Sequence, residues 1–103
     1  MKSNIFIFHI INKMLEKILI DSLGTFVFTI AVFLSGGNAL IIAGTLAIIV
    51  YLIFNISGAF VNPAISFAAY IYGGLSFAEF IGYSAGQLIA AAAAAKVYSF
   101  YAQ

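Results

Sequence analysis

The residues of this chain best suited to act on a small molecule lie in one stretch, Ser57-Gly58-Ala59-Phe60-Val61-Asn62-Pro63-Ala64. Asn62 suits the N-cap of a helix, and Pro63 suits its first position, where the missing N–H costs nothing. Backbone without helical hydrogen bonds persists at membrane depth only where it is buried in protein or lines a water-filled path. In an apolar chain, the loop from Ser57 to Asn62 therefore predicts a cavity. Its carbonyls would accept hydrogen bonds from whatever passes, while the helix N-terminus presents free N–H groups and a partial positive charge at the same point. Such a site repels cations, and the Asn62 amide can donate to a neutral oxygen such as that of water. A plain capped helix start is the other reading of an Asn-Pro pair. The glycine breakers on either side, in a chain this apolar, favour the cavity.

Other chemistry is sparse. The chain has no cysteine, and its one histidine, His9, sits in an apolar stretch with no partner at metal-ligand spacing, so it reads as interfacial. Glu79 falls where a carboxylate complements a helix N-terminus, and nothing near it completes a proton relay. Nucleophile–base pairs, phosphate-binding loops and paired carboxylates are all missing. The expectation is no enzyme, no cofactor and no metal, and a net charge of +1 offers no basic surface for nucleic acid.

The elements that must position the loop follow from composition. Of 103 residues, 65% are hydrophobic and 7% charged, and the mean hydropathy is +1.18. Soluble domains carry about 25% charged residues, so the expected solvent is the lipid bilayer. Residues 14–34 read as a first transmembrane segment, whose apolar run from Ile18 to Leu34 is interrupted only by Asp21 and ends at Ser35-Gly36-Gly37-Asn38. Residues 1–13 form an N-terminal tail, an interfacial segment or an extension of that helix past the membrane edge. The apolar run Ile5 to Ile11 is short and lacks a small-residue cleavage site, so it reads as mature protein and not as a signal peptide.

Residues 39–56 read as a second crossing and 77–98 as a third. Between them, the apolar run from Pro63 to Tyr72 is stopped by Gly73-Gly74 and, at about 1.5 Å per residue, covers about half of the bilayer. Residues 57–72 thus form a re-entrant loop and half-helix. The expected fold is an all-α membrane protein of three transmembrane helices plus one re-entrant half-helix. On the third crossing, Gly82, Gly86, Ala90 and Ala94 recur at every fourth position and form a close-packing face. Lys2, Lys13 and Lys17 lie on the N-terminal side of the crossings and Lys96 alone on the other, which favours a cytoplasmic N-terminus. A bias of that size in so small a chain leaves dual topology open.

Three motifs carry a family resemblance. Ser57 to Ala64 resembles the first Asn-Pro-Ala loop of the major intrinsic proteins, the aquaporins and glycerol facilitators. Asp21-Ser22-Leu23-Gly24-Thr25-Phe26 resembles the family's acidic-x-x-Gly-Thr-Phe signature, and Tyr83-Ser84-Ala85-Gly86-Gln87 its Tyr-x-x-Ala-Gln. The resemblance covers about residues 14 to 100. It implies the same layout, with Asn62, Pro63 and Ala64 at the pore, Gly24 at a helix contact, and Asp21 and Gln87 bracing the loop. Read without the resemblance, Asp21 is an interfacial charge paired with Lys17, and Gln87 a cross-helix hydrogen bond.

In that family two such halves are joined as inverted repeats whose half-helices meet at the membrane centre, and this sequence resembles the first half. The departures are the second half with its Arg, Phe60 where a His is common, Ile42 at the filter-like aromatic position, and Asp21 in place of Glu. The resemblance implies a passive channel for water or small neutral solutes, completed by an inverted copy in a homo-oligomer or by a complementary half chain. The alternatives are a truncated or split member without transport, a conducting ring of same-facing copies, or a small subunit packing through the Gly82 row.

Overall fold

The computed structural model describes residues 2–103. Met1, counted in the N-terminal tail, and the Lys2 side chain, counted in the charge bias, lie outside what is described. The chain forms four helices: α1 (Lys2–Leu34), α2 (Ala39–Ser57), α3 (Pro63–Tyr72) and α4 (Phe77–Tyr101). Helices α1, α2 and α4 are long and apolar enough to cross a membrane, and α3 is a shorter apolar helix. No strand occurs among the described residues.

Each helix ends where the local chemistry stops it. Gly36 and Gly37 take positive φ values of 61° and 83° after α1, and Asn38 then caps α2 by accepting a hydrogen bond from the Ile41 N–H. Gly58, at φ 88°, closes α2, and its N–H donates to the Phe54 carbonyl. Gly73, at φ 94°, closes α3 in the same way. Ser76 opens α4 with a capping box, its hydroxyl accepting from the Glu79 N–H while the Glu79 carboxylate accepts from the Ser76 N–H. The segment before residue 14 continues α1 without a break, because nothing between Lys2 and Met14 is a Gly or a Pro. Helix α4 runs on to Tyr101, past the expected Tyr98.

Helix α1 is the central element, packed against α2 on one side and α4 on the other, and α3 lies against α4. The Gly82 and Gly86 backbones meet α1 at Ile18 and Ser22, so closely that a methyl group on either glycine would overlap those side chains. Ala90 and Ala94 are buried further along α4. Gly24 on α1 sits under Ile49 and Ile53 of α2 and Val61 of the loop. Tyr70 of α3 stacks on Phe80 of α4 with ring centroids 5.5 Å apart, and Phe67 packs against the same ring. The interior sets polar side chains beside apolar ones such as Ile49, Val61 and Leu75, while many large apolar side chains face outward. Asp21, Thr25, Ser57, Ser66 and Gln87 are buried, while Leu40 and Tyr51 are more than four-fifths exposed. This arrangement suits helices that meet through small and polar residues and present apolar side chains to lipid.

Candidate functional site: a braced re-entrant loop

The loop between α2 and α3 has a backbone that ordinary propensity disfavours. Ala59 and Val61 lie at φ 51° and 44°, in the left-handed region, alongside Gly58. For a non-glycine residue this region costs about 1–2 kcal/mol, so surrounding bonds must hold it. They come from Asp21, which is fully buried. Its Oδ1 accepts from the Ser57 hydroxyl at 2.7 Å and the Phe60 N–H at 3.0 Å. Its Oδ2 accepts from the Val61 N–H and from Gln87 Nε2, both at 2.8 Å. Four donors on one carboxylate offset the cost of burying it in a low-dielectric bundle.

The brace continues into α4 and α3. Gln87 Nε2 also donates to Ser66 Oγ at 2.9 Å, and the Ser66 hydroxyl donates to Gln87 Oε1 at 3.1 Å. The Tyr83 hydroxyl donates to the Ser57 carbonyl at 2.7 Å, and its ring meets Phe60 edge-on with centroids 5.3 Å apart. Helix α1 contributes the acceptor, α4 the amide and phenol, and α3 a hydroxyl one turn inside its own N-terminus. Ser66 and Tyr83 had no bracing role in the sequence reading. The signal for them was spacing: Ser66 is four residues after Asn62, and Tyr83 four before Gln87, each pair on one helix face.

With the N–H groups of Gly58 to Val61 held, the loop leaves its acceptors free. Among the described residues, no donor bonds the carbonyls of Gly58, Ala59, Phe60 and Val61. Asn62 Oδ1 accepts from the Ala64 N–H at 2.8 Å, capping α3, and its Nδ2 hydrogens stay available. Ala59 through Asn62 border a groove of about 280 Å³ whose walls are Phe28 of α1, Leu46 and Val50 of α2 and Ile65 of α3. Ile42 lies one turn before Leu46, on the same face of α2, and outside the groove's lining. Pro63 and Ala64 begin α3. The row Gly82, Gly86, Ala90 and Ala94 stands apart from the groove, in the seam with α1. His9, in the N-terminal part of α1, takes no part in the loop, and Glu79 belongs to the α4 cap.

Comparison with curated proteins finds no match, and comparison with solved structures finds none. The family model described as major intrinsic protein matches residues 9–103. Proteins of this family are membrane channels for water or small solutes, and the three apolar helices accord with an integral membrane protein. The match spans the acidic residue of α1, the braced loop and the glutamine of α4, and the chain belongs to the major intrinsic protein family.

Proposed function

We propose that the chain supplies one half of a passive channel for water or small neutral solutes, completed by a second half. That half is an inverted second copy or a complementary half chain. The observation that carries this reading is the set of unbonded carbonyls of Ala59, Phe60 and Val61, residues that border one groove together with the free Asn62 amide. Acceptors without donors are costly in an apolar setting, and a permeant that both donates and accepts relieves that cost in transit. The positive end of α3 points the same way, since it disfavours cations.

Several features support completion by a second half. Asn62 is exposed, Ile65 is 52% exposed, and α3, with 10 residues, is too short to cross a bilayer, so the groove is open on the side that a second half would cover. In the completed channel, Asn62, Pro63 and Ala64 stand at the pore and Ile42 narrows one mouth. Asp21 and Gln87 hold the loop, and the glycine row holds α4 to α1. The lysine bias places the N-terminus in the cytoplasm in the favoured orientation, and an inverted dimer requires dual topology. Packing against another protein through the Gly82 row is disfavoured, because α1 fills it.

The test is osmotic swelling of vesicles containing purified, monodisperse protein. The expected result is a permeability several-fold above that of empty vesicles. Equal permeability in the two would favour a member without transport activity.

A further inference from the structure

Helix α1 carries His9, Lys13 and Lys17 at four-residue steps, which sets them in one row along the helix. All three border a groove of about 590 Å³ whose opposite wall is Ser76, Ala78 and Glu79 at the start of α4. Ile10 and Met14 lie between the basic residues, so the groove is apolar as well as cationic. Lys17 also borders a cavity with Asn55 and Ile56 at the end of α2, and another with Gly74 and Leu75 just ahead of α4. It therefore stands at the rim where one apolar helix ends and another begins, a position suited to the passage from hydrocarbon to headgroup. The groove's one carboxylate, that of Glu79, caps its own helix through Oε1, which accepts from the Ser76 N–H at 2.9 Å, and its single charge faces two lysines. Glu16 borders the neighbouring cavity and not this one.

We propose that this groove binds the headgroup phosphate of an anionic phospholipid. Two ammonium groups one turn apart match a phosphodiester, and the His9 ring can donate a further hydrogen bond. The Ile10 and Met14 side chains offer apolar surface where the lipid's acyl chains begin. A zwitterionic lipid brings its own cation to the same place, which the lysines repel. Lysine stems that lie along apolar surface and lift their charge to the interface are suited to this task. The groove contains no loop residue, although Lys17 also borders the cavity that Ser57, Gly58 and Phe60 line, and lipid binding there does not depend on conduction.

The test measures binding of tail-labelled phosphatidylglycerol and phosphatidylcholine to the full chain in detergent, by fluorescence anisotropy. Phosphatidylglycerol should bind about thirtyfold more tightly, the preference that two interfacial lysines provide at about 1 kcal/mol each. Lys13→Gln combined with Lys17→Gln should remove most of that preference, Lys13→Arg with Lys17→Arg should keep it, and Lys96→Gln, near the far end of α4, should leave it unchanged. Circular dichroism checks that each variant keeps its helix content. As a measure free of any substitution, raising salt from about 0.05 to about 0.5 M should weaken phosphatidylglycerol binding by the unaltered chain. Equal affinity for the two lipids, a preference that survives the double Gln change, or one indifferent to salt overturns the proposal. Inorganic phosphate that displaces the labelled lipid at equal concentration would also overturn it, assigning the groove to a soluble anion.

Discussion

Gln87 Nε2 donates to Asp21 Oδ2 across 2.8 Å, tying together residues 66 positions apart in the chain. The bond closes a circuit. Asp21 holds the loop backbone, Gln87 holds Asp21, and Ser66 ties Gln87 to the first turns of α3. The half-helix is thus fixed at its N-terminus from two full-length helices at once, although α3 makes its broad contact with α4 alone.

Asp21→Asn should show how much the circuit is worth. An amide has one acceptor oxygen in place of two, so one pair of donors among Ser57, Phe60, Val61 and Gln87 would face an NH2 group. Hydrogen bonds to a charged group contribute about 1.5–3 kcal/mol each, so a loss of about 3 kcal/mol or more is expected. Asp21→Glu keeps every acceptor and adds one methylene to a tight site, at about 1–3 kcal/mol. Thermal unfolding in detergent should rank the unaltered chain first, Glu next and Asn last, and an Asn variant as stable as the original would refute the brace.

The α1–α4 seam predicts a contrast between glycines. Gly86→Ala places a methyl group against Ser22 and should lower stability by about 1–3 kcal/mol through overpacking. Gly44→Ala, on a face of α2 with nothing within 4 Å, should be neutral or stabilising by up to about 1 kcal/mol, since alanine is the better helix former. The thermal midpoint of Gly86→Ala should fall below the original and that of Gly44→Ala at or above it.

What the sequence made legible, and what it did not, follows from the range of the forces involved. Asn62 capping α3, Pro63 in its first turn and Gly73 ending it are decided by each residue's own backbone, so composition and spacing reveal them. The Ser76–Glu79 box is equally local. The targets of Asp21 are not. Two of its four donors are backbone N–H groups of a loop whose left-handed Ala59 and Val61 no local preference favours, and that conformation exists only once three helices have met. The Tyr83 bond to the Ser57 carbonyl is hidden for the same reason, since a carbonyl leaves no mark in the residue type. The N-terminal segment is the reverse case. Its helical state was open because apolar residues without breakers suit a helix in water, at an interface or beyond it.

The left-handed loop positions predict opposite outcomes for adjacent substitutions. Ala59→Gly removes a conformational cost of about 1–2 kcal/mol and adds back about 0.4–1 kcal/mol of unfolded-chain entropy, so stability should hold or rise slightly. Gly58→Ala adds a Cβ at φ 88° that would stand 2.6 Å from the Phe60 ring, and it should cost more than about 1 kcal/mol. If Gly58→Ala is tolerated as well as Ala59→Gly, the loop relaxes easily and is not held by Asp21.

Asn62→Asp separates folding from conduction at a single atom. Aspartate caps a helix as well as asparagine does, so its Oδ1 can still accept from the Ala64 N–H, and the dipole of α3 favours the new charge. The thermal midpoint should therefore hold. What disappears is the pair of amide hydrogens, a side-chain donor beside the free carbonyls of Ala59, Phe60 and Val61, and what arrives is a negative charge in a groove walled by Phe28, Leu46, Val50 and Ile65. Osmotic permeability should fall by about tenfold or more, equivalent to a barrier increase of about 1.4 kcal/mol. Asn62→Ala is the control that loses cap and donor together, and it should lower stability by about 1 kcal/mol as well as permeability. A stable, folded Asp variant that swells vesicles at the original rate would mean that the path through the protein avoids Asn62.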